Sequence, residues 1–345
     1  MSIFFSKGHP ASLVTFTMRS IASCDFDTCP VAASPYGYPP SPAAEAIFLT
    51  IHIGALLACQ LYTFYIADRN RWLEFSVPIS IACLLESIGY AIRIGSSVDP
   101  WNVVLYATST AFIIVAPAFI ATGIYFITPE VIKILGKEHS PINIAHYPLL
   151  IWVDIVGFAL QLIGIIVSFS DISTSTGLGH NAHYGTPIIA TGIILQAVSL
   201  ITFLSLFTIV LFQASLTNSH YGYTTFHPSH GFVPIAQRFK FFVAMLLVST
   251  MCLFGRGVYQ VIILSEGLES WTAKNQALFA GLDSFLVAEA VVGLVIAHPV
   301  LFLRDGLDKR LLRRNSNNPL IEERGMSRLV VGSTPCSSTT NFVQG

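Results

Sequence analysis

Ionisable side chains inside long apolar stretches are the residues of this sequence that could do chemistry. Charged groups are costly in lipid, and there they usually mark a transport path, a proton relay or a ligand site. The acids outnumber the arginines, so we expect a polar interior that suits a cationic or amine-bearing amphiphile. The candidates are Glu86, Arg93, Asp154, Arg256, Asp283 and Glu289, with His298 near the end of the last stretch.

The spacing of these residues indicates which of them share a helix face. Glu86 and Arg93 are seven residues apart, and Asp154 and Gln161 repeat that spacing. Seven residues are close to two helical turns, so each pair lies on one face. The residues of the set could line a cavity, or they could pair with one another and lock the helices together.

Several classes of chemistry are not expected from this sequence. It has no glycine-rich nucleotide-binding loop, which counts against ATP-driven pumping by this chain. Asp154 and Asp283 lie toward opposite leaflets in the predicted topology, because the fourth and seventh spans cross the membrane in opposite directions, which counts against an intramembrane aspartyl dyad. The net charge of −1 offers no basic face to nucleic acid. We therefore predict no catalytic residues, no metal, no cofactor and no enzymatic activity.

Composition places the chain in a membrane. Hydrophobic residues make up 53% of it and charged residues 11%, whereas soluble domains carry about 25% charged residues. The mean hydropathy is +0.66. A solvent that is mostly lipid explains both values.

Seven apolar runs are long enough to cross a bilayer, which takes about 20 residues in a helix. They are separated by short polar segments, and the runs are continuous rather than alternating, which counts against a β-barrel. We predict an all-α bundle over residues 46–303, an extracellular N-terminal segment at 1–45 and a disordered cytoplasmic tail at 304–345. The predicted spans are Ala46–Ala67, Phe75–Gly95, Val103–Ile127, Pro148–Phe169, Thr186–Phe212, Phe239–Leu264 and Gln276–Leu303.

Pro117 falls in the middle of the third span. It removes one backbone hydrogen bond and should kink the helix, and neighbouring helices are expected to satisfy the carbonyl that it frees. The kink could serve packing or act as a hinge.

Positive charge indicates the orientation. Most of the 18 Lys and Arg residues lie in the first, third and fifth connections and in the C-terminal tail. Cytoplasmic loops hold the excess of these residues, so we predict an external N-terminus and a cytoplasmic C-terminus. Cys24 and Cys29 lie close together near that N-terminus, and a disulfide between them depends on an oxidising compartment.

The sequence resembles the fungal RTA-like, or lipid-translocating exporter, family of seven-helix membrane proteins, over roughly residues 38–300. Fragments similar to the family's patterns occur in order through the spans. They are Tyr38-Pro39-Pro40-Ser41-Pro42; Glu86, Gly89-Tyr90 and Arg93; Ala116-Pro117 and Tyr125; Asp154, Gln161 and Gly164; Gly192 and Gln196; Arg256, Tyr259 and Gly267; and Asp283 with His298-Pro299.

This resemblance implies a plasma-membrane protein that protects against toxic amphiphiles. Members of the family are associated with translocation of sphingoid long-chain bases, with drug tolerance and with porphyrin handling. Two features depart from the pattern. Gln260 and Ile263 stand where the family usually has an arginine and a glutamate, and Glu289 is not a position of the pattern.

Two functions are compatible with these observations. In the first, the protein or a complex containing it translocates an amphiphilic lipid, whose headgroup passes along the acids while Arg93 and Arg256 hold them in place. In the second, it is a receptor-like sensor of lipids or amphiphilic stressors with a cytoplasmic output. The predicted substrate-binding residues are Glu86, Arg93, Asp154, Gln161, Arg256, Tyr259, Asp283 and Glu289, and the predicted partners are membrane lipids or amphiphilic small molecules.

Overall fold

The computed structural model describes residues 26, 29–31, 34–66, 72–169, 182–227, 231–232, 234–267 and 270–303. Most of the predicted N-terminal segment and the whole predicted tail, 304–345, lie outside these residues. Cys29 is disulfide-bonded, and Cys24 lies outside the described part of the chain.

Seven helical segments of the described residues are long and apolar enough to cross a membrane. This confirms the predicted all-α, seven-span bundle. The first six are α1 (Pro42–Leu61), α2 (Leu73–Ser96), α3 (Val103–Leu135), α4 (Leu150–Phe169), α5 (Ala182–Tyr221) and α6 (Gln237–Glu266). The seventh span is built of α7 (Gln276–Leu278), a π-helical turn (Phe279–Ser284), α8 (Phe285–Ile296) and α9 (Pro299–Phe302).

Short elements extend or join the spans. A π-helical turn, Tyr62–Ile66, continues α1, and 3-10 turns at Lys137–His139 and Ile144–Leu149 lead from α3 into α4. Strands β1 (Phe226–His227) and β2 (Gly231–Phe232) pair antiparallel in the connection between α5 and α6.

Two helices continue well past the C-terminal ends of the predicted apolar runs. Helix α3 continues to Leu135 and α5 to Tyr221, because polar residues end an apolar run without ending a helix. Each stops at a glycine in the left-handed region, Gly136 at φ 116° and Gly222 at φ 79°. A glycine there releases the chain from the helix at low steric cost.

Side-chain caps fix where two spans begin at the same end of the bundle. Ser41 accepts a hydrogen bond from the Ala44 amide, with Pro42 in the first turn of α1. Asn102 accepts from the amides of Val104 and Leu105 and begins α3. Such caps satisfy amides that have no partner within the helix.

Helix α4 shows the inverted burial of a helix in lipid. Asp154, Gly157, Gln161 and Gly164 are its buried positions, whereas apolar residues such as Trp152 face outward, with 66% of that residue exposed. Lipid solvates the apolar side chains, so the polar and small ones are left to face the neighbouring helices.

Two pairs of glycines bring α4 and α5 together. A Cβ on Gly192 would lie 2.4 Å from the Gly157 carbonyl oxygen, and a Cβ on Gly185 would lie 2.5 Å from that of Gly164. Both pairs repeat every seven residues, so they form one seam. Because this seam lies on the same face of α4 as Asp154 and Gln161, the close approach presses those polar side chains against α5.

Candidate functional site

An ion pair between α6 and the seventh span forms the centre of the site. Arg256 Nε lies 2.8 Å from Asp283 Oδ1, without the alignment of a hydrogen bond, and the two side chains are 4% and 0% exposed. Gln260 Nε2 donates to the same carboxylate oxygen at 2.6 Å. Asp283 belongs to the π-helical turn, a type of irregularity that is frequent at functional sites.

Helix α3 supplies the second partner of Arg256. Arg256 Nη2 donates to the carbonyl oxygen of Ile113 at 3.0 Å. That carbonyl would normally accept from residue 117, which is a proline and has no amide hydrogen. The expectation that a neighbouring helix satisfies the carbonyl freed by Pro117 is therefore confirmed.

Glu86 is a buried acid near this pair. Its side chain is 0% exposed, and neither carboxylate oxygen has a hydrogen-bond partner among the described residues. Arg256 and Asp283 are the charged groups that act on it electrostatically. Gly89, one turn along α2, lets Ile113 pack closely, since a Cβ there would meet Ile113 Cγ1 at 2.7 Å.

Asp154 is a second buried acid, and the hydroxyl groups of Tyr125 and Ser199 lie against its carboxylate. These two hydroxyl groups bond to each other at 3.0 Å, so only one of them has its hydrogen free for the carboxylate. Neither carboxylate oxygen of Asp154 makes a hydrogen bond within the described residues. A buried carboxyl group in this condition is costly unless another polar group reaches it.

A small cavity connects Asp154 with Arg256. Its volume is about 20 Å³, and α3 to α6 all contribute to its lining, with Pro117, Asp154, Gln196 and Arg256 among the lining residues. That space is enough for about one water molecule. The cavity therefore joins the acid of α4 to the ion pair of α6 and the seventh span.

Two amide side chains lie between α4 and α5, and one of them lines this cavity. Gln161 is fully buried, and neither its oxygen nor its nitrogen has a partner among the described residues. Gln196 lines the cavity, and its nitrogen is likewise without a partner. The glycine seam between α4 and α5 holds both amides in place, because a Cβ on Gly192 would lie 2.9 Å from Gln161 Cγ.

Arg93 forms a separate centre at the end of the bundle where α1 begins. Arg93 Nε donates to Glu45 Oε1 at 2.7 Å, and each side chain is 3% exposed. Arg93 Nη2 donates to the Tyr38 hydroxyl group. Burial raises the pKa of Tyr38, against the opposing effect of Arg93, so the phenol stays protonated.

Two aromatic rings complete the surroundings of Arg93. The guanidinium carbon lies 4.7 Å from the Tyr36 ring centroid and 4.0 Å from that of Phe279. Both distances fall within the range of cation–π attraction. Phe279 opens the π-helical turn that ends at Ser284, so one turn of the seventh span carries contacts to both Arg93 and Arg256.

The remaining predicted site residues fall in different places. Tyr259 is buried, and Asp283, Tyr38 and Arg93 all act on its phenol electrostatically, which puts it between the two centres. Glu289 is exposed on α8, on a face with Leu282, Phe285 and Ile296. The expectation that Glu289 joins a polar interior is wrong, because it lies six residues from Asp283 and so points to another side of the helix.

Glu45, Tyr36 and Phe279 were missed by sequence reasoning. The predicted first span begins at Ala46, one residue after Glu45. A signal was available, since Glu45 occupies the first turn of α1 behind the Ser41 cap. The contacts of the two aromatic residues depend on packing between distant segments, which helical periodicity does not encode.

Comparison with known proteins places these features in context. A family model described as RTA1 like protein matches residues 79–306. The sphingoid long-chain base transporter RSB1 of Saccharomyces cerevisiae is 25% identical over 279 residues, covering 73% of this chain and 68% of the relative. Protein RTA1 of the same yeast is 25% identical over 256 residues, covering 72% and 73%.

A third similar yeast protein has a different name. Protoporphyrin uptake protein 1 of Saccharomyces cerevisiae is 22% identical over 275 residues, covering 70% of this chain and 84% of the relative. No solved structure matches the chain.

Proposed function

Because the chain belongs to the RTA1-like family of membrane proteins, we propose that it translocates amphiphilic lipids that carry an amine, with sphingoid long-chain bases as the substrate class. The family and the name of one distant relative support a role in lipid transport. The choice of a cationic headgroup comes from the chemistry of the bundle interior.

The observation that carries this proposal is the presence, in one bundle, of two buried acids whose carboxylate oxygens make no well-aligned hydrogen bond within the described residues. Glu86 and Asp154 are both buried, and none of their four carboxylate oxygens is bonded within the described residues. Buried polar groups in folded proteins nearly always have a partner. An ammonium headgroup with hydroxyl groups beside it would supply the donors that these two carboxylates lack.

The arginines have a supporting role in this proposal. Arg256 holds Asp283 and the Ile113 carbonyl, so the ion pair fixes α3, α6 and the seventh span around the acids. Gln196, which lines the cavity with Asp154, has an unbonded nitrogen, and Gln161, two turns along α4 on the same face, has an unbonded amide. A headgroup would meet carboxylates and amides along this side of the interior, while its hydrocarbon chain stays in the bilayer.

Translocation requires the bundle to open. A cavity of about 20 Å³ has room for a single water molecule and not for a lipid headgroup. The seam between α4 and α5 is closed by glycine contacts, whereas the seventh span contains a π-helical turn at the ion pair. We propose that movement of the seventh span opens the interior to the headgroup.

The test uses the purified full chain in liposomes with a fluorescent long-chain base in one leaflet. Wild-type protein should speed the appearance of the label in the other leaflet. Glu86→Gln and Asp154→Asn should each reduce that acceleration about tenfold or more, since each change removes a negative charge without changing shape.

Glu289→Gln is the matched control, because it makes the same chemical change on the exposed face. It should leave the rate unchanged. Loss of transport in Glu289→Gln alone would indicate that the lipid headgroup passes along the outer surface of the bundle. If the wild-type protein and the variants bind the long-chain base but none of them speeds its transfer between leaflets, the result would contradict translocation and favour a sensor.

The cellular role follows from the same proposal. We propose that the protein resides in the plasma membrane, protects cells against toxic amphiphiles and catalyses no covalent step. A tagged copy expressed in a yeast strain sensitive to long-chain bases should locate to the cell periphery and restore growth on them. Growth restored equally by Glu86→Gln, at equal abundance, would count against the interior path.

A further inference from the structure

The cation of Arg93 sits in a cage of three aromatic side chains and one carboxylate. This aromatic cage comprises Tyr36, Tyr38, Glu45 and Phe279. Arg93 Nε bonds to Glu45, Nη2 bonds to the Tyr38 hydroxyl group, and the guanidinium carbon faces the rings of Tyr36 and Phe279. The Arg93 side chain is 3% exposed, so the chain's own cation fills the cage.

Contacts that do not involve Arg93 hold the walls of the aromatic cage. The Tyr36 ring packs edge-on against Tyr106 with centroids 4.9 Å apart, and its hydroxyl group lies 3.4 Å from Ser109 Oγ. The Glu45 amide donates to the Ser41 carbonyl in the first turn of α1. Tyr36 and Glu45 are therefore positioned by α3 and α1, and a change at residue 93 alone should leave these two members of the cage in place.

The acceptors of the aromatic cage exceed what Arg93 uses. Glu45 Oε1 and the Tyr38 hydroxyl group accept from Arg93, whereas Glu45 Oε2 is buried with no hydrogen-bond partner in the described part of the chain. A primary ammonium has three donors on one centre. It matches the three acceptor atoms in number, and aromatic faces attract an ammonium as they attract a guanidinium.

The Arg93 side chain can leave the aromatic cage toward the membrane surface if another cation enters. It lies three residues before Ser96, the last residue of α2, and arginine side chains near helix ends can extend to the membrane surface. One wall, Phe279, belongs to the π-helical turn. Rearrangement of that turn would widen the aromatic cage without moving α1 or α3.

We infer that the aromatic cage is a binding site for the primary ammonium group of an amphiphile, and that Arg93 is a tethered competitor that fills it when no amine is bound. This rests on the proposed function only for the choice of an amphiphilic amine. The site is separate from Glu86 and Asp154, so it would capture the headgroup at the end of the bundle before the headgroup reaches the interior.

Removing the competitor tests this inference. The full chain in detergent micelles is titrated with sphinganine, with N-acetylsphinganine as an uncharged analogue and with butylamine as a short cation. Arg93→Ala should bind sphinganine about tenfold more tightly than wild type. It should bind butylamine weakly and gain nothing for the N-acetyl compound.

A double variant provides the control. Arg93→Ala combined with Glu45→Gln should lose the gain, because the carboxylate that faces the ammonium is gone. Unchanged affinity in Arg93→Ala, or a gain that survives Glu45→Gln, would overturn the inference. An equal gain for N-acetylsphinganine would also overturn it, since charge would then have no part in binding.

A second measurement does not depend on a variant that folds. A sphinganine analogue with a photoreactive group beside the amine is cross-linked to wild-type protein. Labelled peptides should contain Tyr36, Tyr38 or Phe279, and labelling confined to other segments would overturn the inference. Labelling of the aromatic cage in a protein that moves no lipid across liposomes would support the binding site and contradict translocation.

Discussion

Arg256 Nη2 donates a 3.0 Å hydrogen bond to the carbonyl oxygen of Ile113, the residue four positions before Pro117. A proline in α3 thus creates an acceptor for an arginine in α6. Arg256 also lies against Asp283 of the seventh span. The proline that interrupts one helix therefore helps to hold three spans together at the centre of the bundle.

Pro117→Ala should weaken this arrangement. The alanine amide would return the Ile113 carbonyl to its own helix, so Arg256 would lose an acceptor in a buried environment. We expect the rate of lipid translocation to fall several-fold while the protein still folds, because the helix itself gains a hydrogen bond. Pro78→Ala in α2 is the control, and an equal loss there would mean that any proline change is harmful.

The pair of Arg256 and Asp283 should show strong coupling in a double-mutant cycle. Breaking a buried ion pair by removing one partner costs about 3–5 kcal/mol, because a charge stays buried alone. Arg256→Gln and Asp283→Asn should each lower the free energy of unfolding by about 3 kcal/mol. The double variant should lose less than the sum of the two. Additive losses, measured by unfolding in micelles, would show that the two charges do not interact.

Gly192→Ala should separate α4 from α5. The added Cβ would meet the Gly157 carbonyl oxygen at 2.4 Å, a distance that forces the backbones apart. We expect a loss of about 2 kcal/mol or more, as for an overpacked core. Gly54→Ala is the matched control in α1, since a Cβ there has nothing within 4 Å. It should be neutral or slightly stabilising, because alanine favours a helix.

Part of the fold and site follows from sequence because lipid imposes simple rules. Apolar length gave the seven spans, and the spacing of Glu86 and Arg93 correctly indicated one shared face of α2, where both are buried. The partners of these residues did not follow. Arg93 contacts Glu45, which is 48 positions away, and that register depends on how two helices pack rather than on the period of either.

Two other features of the site could not be predicted from the helical period of the sequence. The π-helical turn at Phe279–Ser284 changes the direction of side chains in the seventh span, and no residue type marks it. In the sequence, Gln260 stands out only because it lacks the charge that the family pattern has there. In the structure, its Nε2 donates a hydrogen bond of 2.6 Å to Asp283. A neutral amide can thus satisfy an acid where the family pattern has an arginine.

The predicted orientation remains to be tested. Positive charge concentrates in the first, third and fifth connections and in the tail, so the C-terminus should face the cytoplasm. An epitope after Gly345 should be reached by antibody only in permeabilised cells, and one inserted after Ser97 should be reached in intact cells. The reverse pattern would contradict the orientation and leave the bundle itself unaffected.

His298 should contribute to stability through two hydrogen bonds, which can be separated, and through ring contacts with Tyr62 and Phe75. Its Nδ1 accepts from the Val300 amide at 3.3 Å and caps α9, while Nε2 lies 3.2 Å from Ser76 Oγ on α2. Since Nδ1 accepts, the neutral ring carries its hydrogen on Nε2 and donates to the serine. His298→Asn retains a good capping group but is too short for Ser76 and loses the ring contacts, so it should cost about 2 kcal/mol or more. His298→Ala should cost about 1 kcal/mol more than His298→Asn, because it also loses the cap. Ser76→Ala should cost about 1 kcal/mol, since it removes the hydrogen bond alone, and it should add nothing further to His298→Asn. Equal losses for His298→Asn and His298→Ala would mean that the cap contributes nothing and that the ring contacts and the hydrogen bond to Ser76 carry the whole effect.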